Sequence, residues 1–205
     1  MIAVLDYDAG NLASVKKALD FIGVENKVAG SGKELKEAAG LIIPGVGAFG
    51  EAKRRLEERG LDNDILSFVK SGKPVLGICL GMQLLFEESE EAPGVKGLAL
   101  LKGRVLKFSA ESGIKIPHVG WNSLEIKPGK SLFNKIDTGV YVYFVHSYYV
   151  KSDYEENVAA STEYGTLIHS AAESDNIFAC QFHPEKSSET GLKILKNFAE
   201  ICGRA

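Results

Sequence analysis

A chain of 205 residues that is 45% hydrophobic and 25% charged is long enough to bury a core without disulfide staples, and it fits one compact domain. A net charge of −3 supplies no basic field, so no nucleic-acid partner is expected, and the absence of an apolar run near about twenty residues predicts no membrane span. Cysteines at 79, 180 and 202 form an odd, widely spaced set, which argues against a disulfide framework and for a reducing, cytoplasmic setting.

The opening MIAVLDYDAGN lacks a basic region followed by an apolar core, so no secretory leader is expected. Ile2–Tyr7 reads as a buried strand, followed by Leu12, Val15, Leu19 and Ile22 at helical spacing with Gly23 as the stop. Asn26–Ala29 is a short strand, and Ser31 with Glu34 three residues on predicts a capped helix through Ala39. Leu41–Ile43 is a third strand, ended by Pro44-Gly45. Ala48–Arg59 and Asp62–Lys70 read as helices, Pro74–Ile78 as a fourth strand and Leu80–Glu88 as a helix. This alternation predicts a parallel sheet covered by helices.

From Gly103 the texture becomes strand-rich: Gly103–Phe108, Ile116–Ile126, Val140–Val150, Val158–Thr162, Thr166–Ala172 and Ile177–Phe182, then a last helix over Ser188–Ile201. The expectation is a single compact α/β domain over residues 1–205, with a central mixed, mostly parallel sheet flanked by helices.

One stretch carries chemistry. Gly77-Ile78-Cys79-Leu80-Gly81 has the form Gly-x-nucleophile-x-Gly at a strand-to-helix junction. Glycines on either side remove the collisions of a strained turn, the following helix N-terminus favours thiolate, and the Leu80 N–H is available to an oxyanion. A lone cysteine is more often a packed thiol, so the motif needs a base. Of the histidines at 118, 146, 169 and 183, only His183 follows a strand and precedes a carboxylate, in Phe182-His183-Pro184-Glu185-Lys186. In extended chain His183 and Glu185 face the same side. Together with Cys79 they imply acyl transfer through a thioester.

Two glycine motifs are weaker. Gly30-Ser31-Gly32-Lys33 fails as a phosphate loop, because Lys27 and Glu34 stand where glycine and Ser/Thr are required. Gly45-Val46-Gly47-Ala48-Phe49-Gly50 matches a dinucleotide pattern but lacks the later strand ending in an acid. Its better use is at the carboxyl end of a strand beside Cys79. There Gly45 and Gly47 let the Val46 peptide approach a substrate, or flip, and complete an oxyanion hole with Leu80.

Gly77–Gln83 followed by Phe182–Glu185 resembles the triad-type (class I) glutamine amidotransferases, whose fold is flavodoxin-like. Within that class, Asp6–Leu12, Pro44–Gly50, Pro117–Asn122, Val145–Tyr149 and His183–Ser187 resemble the glutaminase subunits of imidazole glycerol phosphate synthases, in histidine biosynthesis. The resemblance spans the whole chain. Asp8, where glycine is the more usual residue, touches no catalytic role. It implies that Cys79 attacks the glutamine side-chain amide, His183 moves protons, Glu185 orients His183, and Val46 and Leu80 N–H groups hold the oxyanion. Gln83, Ser147 and Tyr148, with backbone at Gly45, Gly47 and Gly81, would hold the glutamine α-groups, without metal or organic cofactor. It further implies a (β/α)₈-barrel cyclase partner that consumes the ammonia, with Asn11, Trp121 and Lys186 facing it. The competing readings are the glutaminase of another triad system, such as the one feeding pyridoxal phosphate synthesis, a standalone thiol hydrolase, and an inert regulatory subunit.

Overall fold

The alternating apolar and small residues of the first half become strands whose two faces are both covered. In the computed structural model, which describes residues 1–109 and 113–203, the chain runs β1 (Ile2–Leu5), α1 (Leu12–Phe21), β2 (Asn26–Ala29), α2 (Gly32–Lys36), β3 (Gly40–Gly45), α3 (Phe49–Glu58), α4 (Leu61–Lys70), β4 (Val75–Cys79) and α5 (Leu80–Leu84). It continues through β5 (Glu88–Ser89), β6 (Gly103–Lys107), β7 (His118–Ser123), β8 (Glu125–Ile126), β9 (Tyr141–His146), β10 (Tyr148–Ser152), β11 (Val158–Glu163), β12 (Leu167–Ser174), β13 (Ile177–Cys180) and α6 (Ser188–Cys202). The last two residues of the expected domain, 204 and 205, lie outside the described ones.

The main sheet has the order β2-β1-β3-β4-β13-β12-β11-β8. Its first five strands are parallel neighbours and its last three antiparallel, so the expected mixed sheet is the observed one. Strand alternation assigns the helices to faces. Ala3, Leu5, Leu41, Ile43 and Val75 pack with α2, α3, α4 and α5 residues such as Leu35, Leu56 and Ile65. Ile2, Val4, Ile42, Leu76 and Ile78 pack on the other side with Val15 and Leu19 of α1 and Leu195 and Phe198 of α6. Each such side chain contributes roughly 1.5–3 kcal/mol by leaving water, which makes the two-sided sheet the rigid platform for its own carboxyl edge. No helix among the described residues is long and apolar enough to cross a membrane.

Several boundaries differ from expectation for identifiable reasons. Pro44-Gly45 does not end β3 but belongs to it: the ladder with β1 stops at Ile42, and the Pro44 carbonyl accepts from the Tyr7 hydroxyl at 2.8 Å. Glu34 caps α2 from inside, its carboxylate accepting from the Gly30 N–H and the Ser31 hydroxyl, both at 3.0 Å. That carboxylate fills the hollow of the discarded phosphate-loop motif. Val140–Val150 is not one strand but two, β9 paired with β7 and β10 paired with β6, broken at Ser147.

Candidate active site

Strands β4 and β13 lie side by side in parallel, with Ile78 opposite Cys180, so Cys79 and the segment from Gln181 leave the sheet at the same edge. This register brings together residues more than a hundred positions apart. Cys79 has φ +55°, a conformation that strains any side-chain-bearing residue, and its thiol is buried. The flanking glycines have the expected task. A Cβ at Gly77 would stand 2.7 Å from the Gly81 carbonyl oxygen, and one at Gly81 would stand 1.8 Å from that of Ile43. The helix that follows has only five residues, shorter than Leu80–Glu88, which limits the dipole expected from the sequence.

His183 and Glu185 do meet, but not along an extended strand: Pro184–Lys186 forms a 3-10 turn that folds the carboxylate back onto the ring. Glu185 Oε1 lies 2.7 Å from His183 Nδ1, with both side chains almost wholly buried. A carboxylate only accepts, so Nδ1 carries the hydrogen and Nε2 is the basic nitrogen. Nε2 has no hydrogen-bond partner. Burial by itself would lower the His183 pKa, but Cys79 and Glu185 outweigh it and hold the ring up at about 9. Cys79 thus lies close enough to the ring to raise its pKa by hydrogen bonding and charge, although the contact at Nε2 is not well aligned, a looseness common in unliganded sites. For Glu185→Gln, the His183 titration midpoint followed by NMR is expected to fall by at least about one pH unit, because the favoured imidazolium loses its countercharge.

Ser187 holds the base in place: its buried hydroxyl donates to the His183 carbonyl at 2.6 Å and accepts from the Tyr143 N–H at 2.9 Å. The His183 N–H in turn donates to the Tyr143 carbonyl at 2.9 Å.

A cleft of about 310 Å³ opens over the sulfur. Val46, Gly47, Leu80, Gln83, Ser147 and Tyr148 line it, as expected from the sequence. Gly45 and Gly81 do not. Gly45 pairs with Cys79 in register and packs behind it against Tyr7 and Leu80, while Gly81 packs on Ile43. Sequence reasoning missed Glu91, Pro117, Val145 and His146 on the same wall, and Gln181 beneath it. Among the described residues Glu91 is the one carboxylate lining the cleft, and its Oε2 accepts from the Phe49 N–H at 2.8 Å. A larger cleft of about 570 Å³, between 126–138 and the end of α6, contains neither histidine nor cysteine and lies apart from the sulfur. Chemistry rather than size therefore marks the site.

His146 pins the wall. Its Nδ1 lies 2.8 Å from the Tyr148 carbonyl, which closes the turn that breaks the long strand at Ser147. Its Nε2 lies 3.0 Å from His118 Nδ1. The carbonyl only accepts, so His146 Nδ1 carries a hydrogen; with both rings kept neutral by burial, His118 donates from its Nδ1 to His146 Nε2. Burial lowers their pKa values to about 4 for His118 and about 3 for His146. In the unfolded chain both bind a proton near pH 6.5, so the unfolded state gains protons first and stability falls as pH drops through that value toward 4. Each ring is expected to withdraw about 2 kcal/mol between pH 6.5 and 5. Urea unfolding across that window, compared with His118→Asn, measures it; an equally steep loss in the variant contradicts the assignment.

Of the proposed partner-facing residues, Trp121 is 51% exposed and meets Tyr143 edge to face across the β7–β9 ribbon. Lys186 is exposed with its ammonium 6.0 Å from the Tyr143 ring. Asn11 is half-buried and caps α1, its side-chain oxygen accepting from the Ser14 N–H at 3.3 Å.

A family model for glutamine amidotransferase class-I matches residues 3–202. The imidazole glycerol phosphate synthase subunit HisH of Caldanaerobacter subterraneus is 52% identical over 201 residues, covering 98% of each chain. That of Chlorobaculum tepidum is 49% identical, covering 98% of this chain and all of the relative. Among solved structures, a glutamine amidotransferase superposes with a TM-score of 0.78 over 98% of both chains at 22% identity. The PurLQS structure from Thermotoga maritima superposes with a TM-score of 0.72 over 97% of both chains at 21% identity.

Proposed function

The chain belongs to the class-I glutamine amidotransferase family, and on that basis we propose that Cys79, His183 and Glu185 form its catalytic triad. It is a glutaminase subunit of imidazole glycerol phosphate synthase, releasing ammonia from glutamine for histidine biosynthesis. The observation that carries the residue assignment is the meeting of a strained cysteine with a histidine whose Nδ1 is taken by Glu185 and whose Nε2 is unpartnered.

In this reading the proton of the Cys79–His183 pair sits on His183 Nε2, and the Cys79 sulfur attacks the glutamine side-chain carbonyl. The Leu80 and Val46 N–H groups receive the oxyanion at the N-terminus of α5 and the end of β3. His183 then gives its proton to the departing amine, which leaves as ammonia. Water, deprotonated by the same nitrogen, attacks the thioester; the C–S bond breaks, the sulfur regains the proton, and glutamate departs. The raised pKa of His183 suits this cycle, since imidazolium is the form held between thiolate and carboxylate. Glu91 supplies the countercharge for the substrate α-ammonium, being the one carboxylate among the described residues that line the cleft. Gln83, Ser147 and Tyr148 position the remaining α-groups.

Such a chain works with a partner subunit. We assign that partner a (β/α)₈-barrel cyclase, docked on the exposed β7–β9 ribbon, where Trp121 and Lys186 both lie against Tyr143. Exposed aromatics beside a charged rim support that surface, and Asn11 joins it only through its amide nitrogen. The three cysteines are unpaired, which supports a cytoplasmic setting. Residues 1–205 are read as one glutaminase domain. The deciding experiment mixes the chain with its cyclase partner and measures glutamine-dependent formation of imidazole glycerol phosphate. Glutamate release without any transfer to the cyclase would leave a standalone hydrolase.

A further inference from the structure

Beneath the cleft a chain of carboxamides runs to the sulfur. Gln83 Nε2 donates to the Tyr148 carbonyl and to Gln181 Oε1, each at 3.0 Å. Gln181 Nε2 in turn lies 3.7 Å from Cys79 Sγ. The two ends of a carboxamide look alike in shape, so the direction of this chain needs a physical anchor. The anchor is the Tyr148 carbonyl, which can only accept. The Gln83 atom facing it must be nitrogen, and the second hydrogen of that nitrogen must meet an oxygen of Gln181. The Gln181 nitrogen is then left pointing at Cys79. His146 Nδ1 holds the same carbonyl from the other side at 2.8 Å. Gln181 itself is wholly buried, and its backbone N–H donates to the Ser170 carbonyl at 2.8 Å, so the side chain has no route to solvent.

We propose that Gln181 is a further catalytic residue: a buried N–H donor, locked in direction by Gln83 and the Tyr148 carbonyl, that stabilises negative charge on the Cys79 sulfur. The proposal rests on the assignment of Cys79 as the nucleophile. With the proton on His183, the imidazolium faces the sulfur from one side, while the Val145 carbonyl at 4.0 Å is an acceptor. Gln181 supplies a second donor, at 3.7 Å. It is needed again when the thioester C–S bond breaks and the electron pair returns to sulfur. A donor to a charged acceptor gives more than one to a neutral acceptor, so the contact strengthens as thiolate forms. The same geometry leaves the Gln83 Oε1 as the only unspent end of that side chain, so Gln83 meets a donor group of the substrate.

The test is the pH dependence of Cys79 alkylation by iodoacetamide, read by peptide mass, in the wild-type chain, Gln181→Met and Gln181→Glu. Methionine keeps the volume and removes the donor; glutamate keeps the shape and turns an oxygen toward sulfur. The alkylation midpoint is expected to rise by about one pH unit in the first and further in the second. Glutaminase kcat should fall about tenfold in Gln181→Met, with KM within about threefold. Folded variants whose alkylation midpoints match the wild type would overturn the proposal, leaving Gln181 as packing. Should the variants not fold, the wild-type Gln181 side-chain amide signals must shift with the Cys79 titration and stay flat in Cys79→Ala; signals insensitive to that titration also overturn it. Glutaminase activity surviving Cys79→Ala instead refutes the nucleophile assignment on which the proposal stands.

Discussion

Cys79→Ala, reconstituted with the cyclase partner, is expected to lose glutamine-supported synthesis by a factor on the order of 10⁴ while keeping synthesis supported by added ammonia. The two halves of this result come from the architecture. The sulfur sits on a positive-φ elbow at the strand edge, near a histidine whose Nδ1 hydrogen is taken by Glu185. Its loss removes the covalent route altogether. Alanine removes one atom from a buried position and leaves the backbone of the elbow intact, so the β7–β9 ribbon proposed to receive the partner keeps its shape. The measurement is product formation with glutamine or with an ammonium salt at matched pH. Retained glutamine-supported turnover would refute the thioester mechanism, and loss of both activities would show that the substitution had damaged assembly.

Gly81→Ala is expected to be among the most damaging small substitutions near the site, costing more than about 3 kcal/mol of stability. Its Cβ would lie 1.8 Å from the Ile43 carbonyl oxygen, in a strand held on both sides. No rotamer change relieves a clash between Cβ and backbone, so either β3 or the elbow must move. Both carry the site. Gly47→Ala is the informative comparison. Its φ is +107°, but a Cβ there meets nothing within 4 Å, so it incurs only conformational strain of about 1–3 kcal/mol. Urea unfolding of the two variants separates close packing from backbone conformation. A Gly81→Ala chain as stable as Gly47→Ala would contradict the packing account.

The parallel half of the fold was legible because its central strands β1, β3 and β4 are apolar runs punctuated by Gly, Pro or a capping residue. Asn26–Ala29 is found with the expected bounds, and α1, α3, α4 and α6 start or stop within about two residues of expectation. What failed locally failed for non-local reasons. Helix α5 stops at Leu84 rather than Glu88 because the carbonyls of Leu84, Leu85, Phe86 and Glu87 are taken by N–H groups of residues 97–101. Nothing in Leu84–Glu88 itself announces that competitor. The break at Ser147 likewise depends on His146 reaching the Tyr148 carbonyl while His118, from another strand, holds its far side.

Residue order alone was enough to bring forward Cys79, His183 and Glu185 as the candidate triad, because a strained elbow demands glycines at fixed spacing and a His-x-Glu pair is read within one segment. It was also enough for the order of strands and helices that makes a parallel sheet. The surroundings of the sulfur came from the folded molecule. Gln181 stands beside Cys79 through the β4–β13 register, Glu91 enters the cleft through its bond to the start of α3, and Gly45 and Gly81 turn out to pack behind the site. Spacing specifies neighbours along a chain, whereas hydrogen-bond direction and burial at a shared strand edge are set by groups far apart in it.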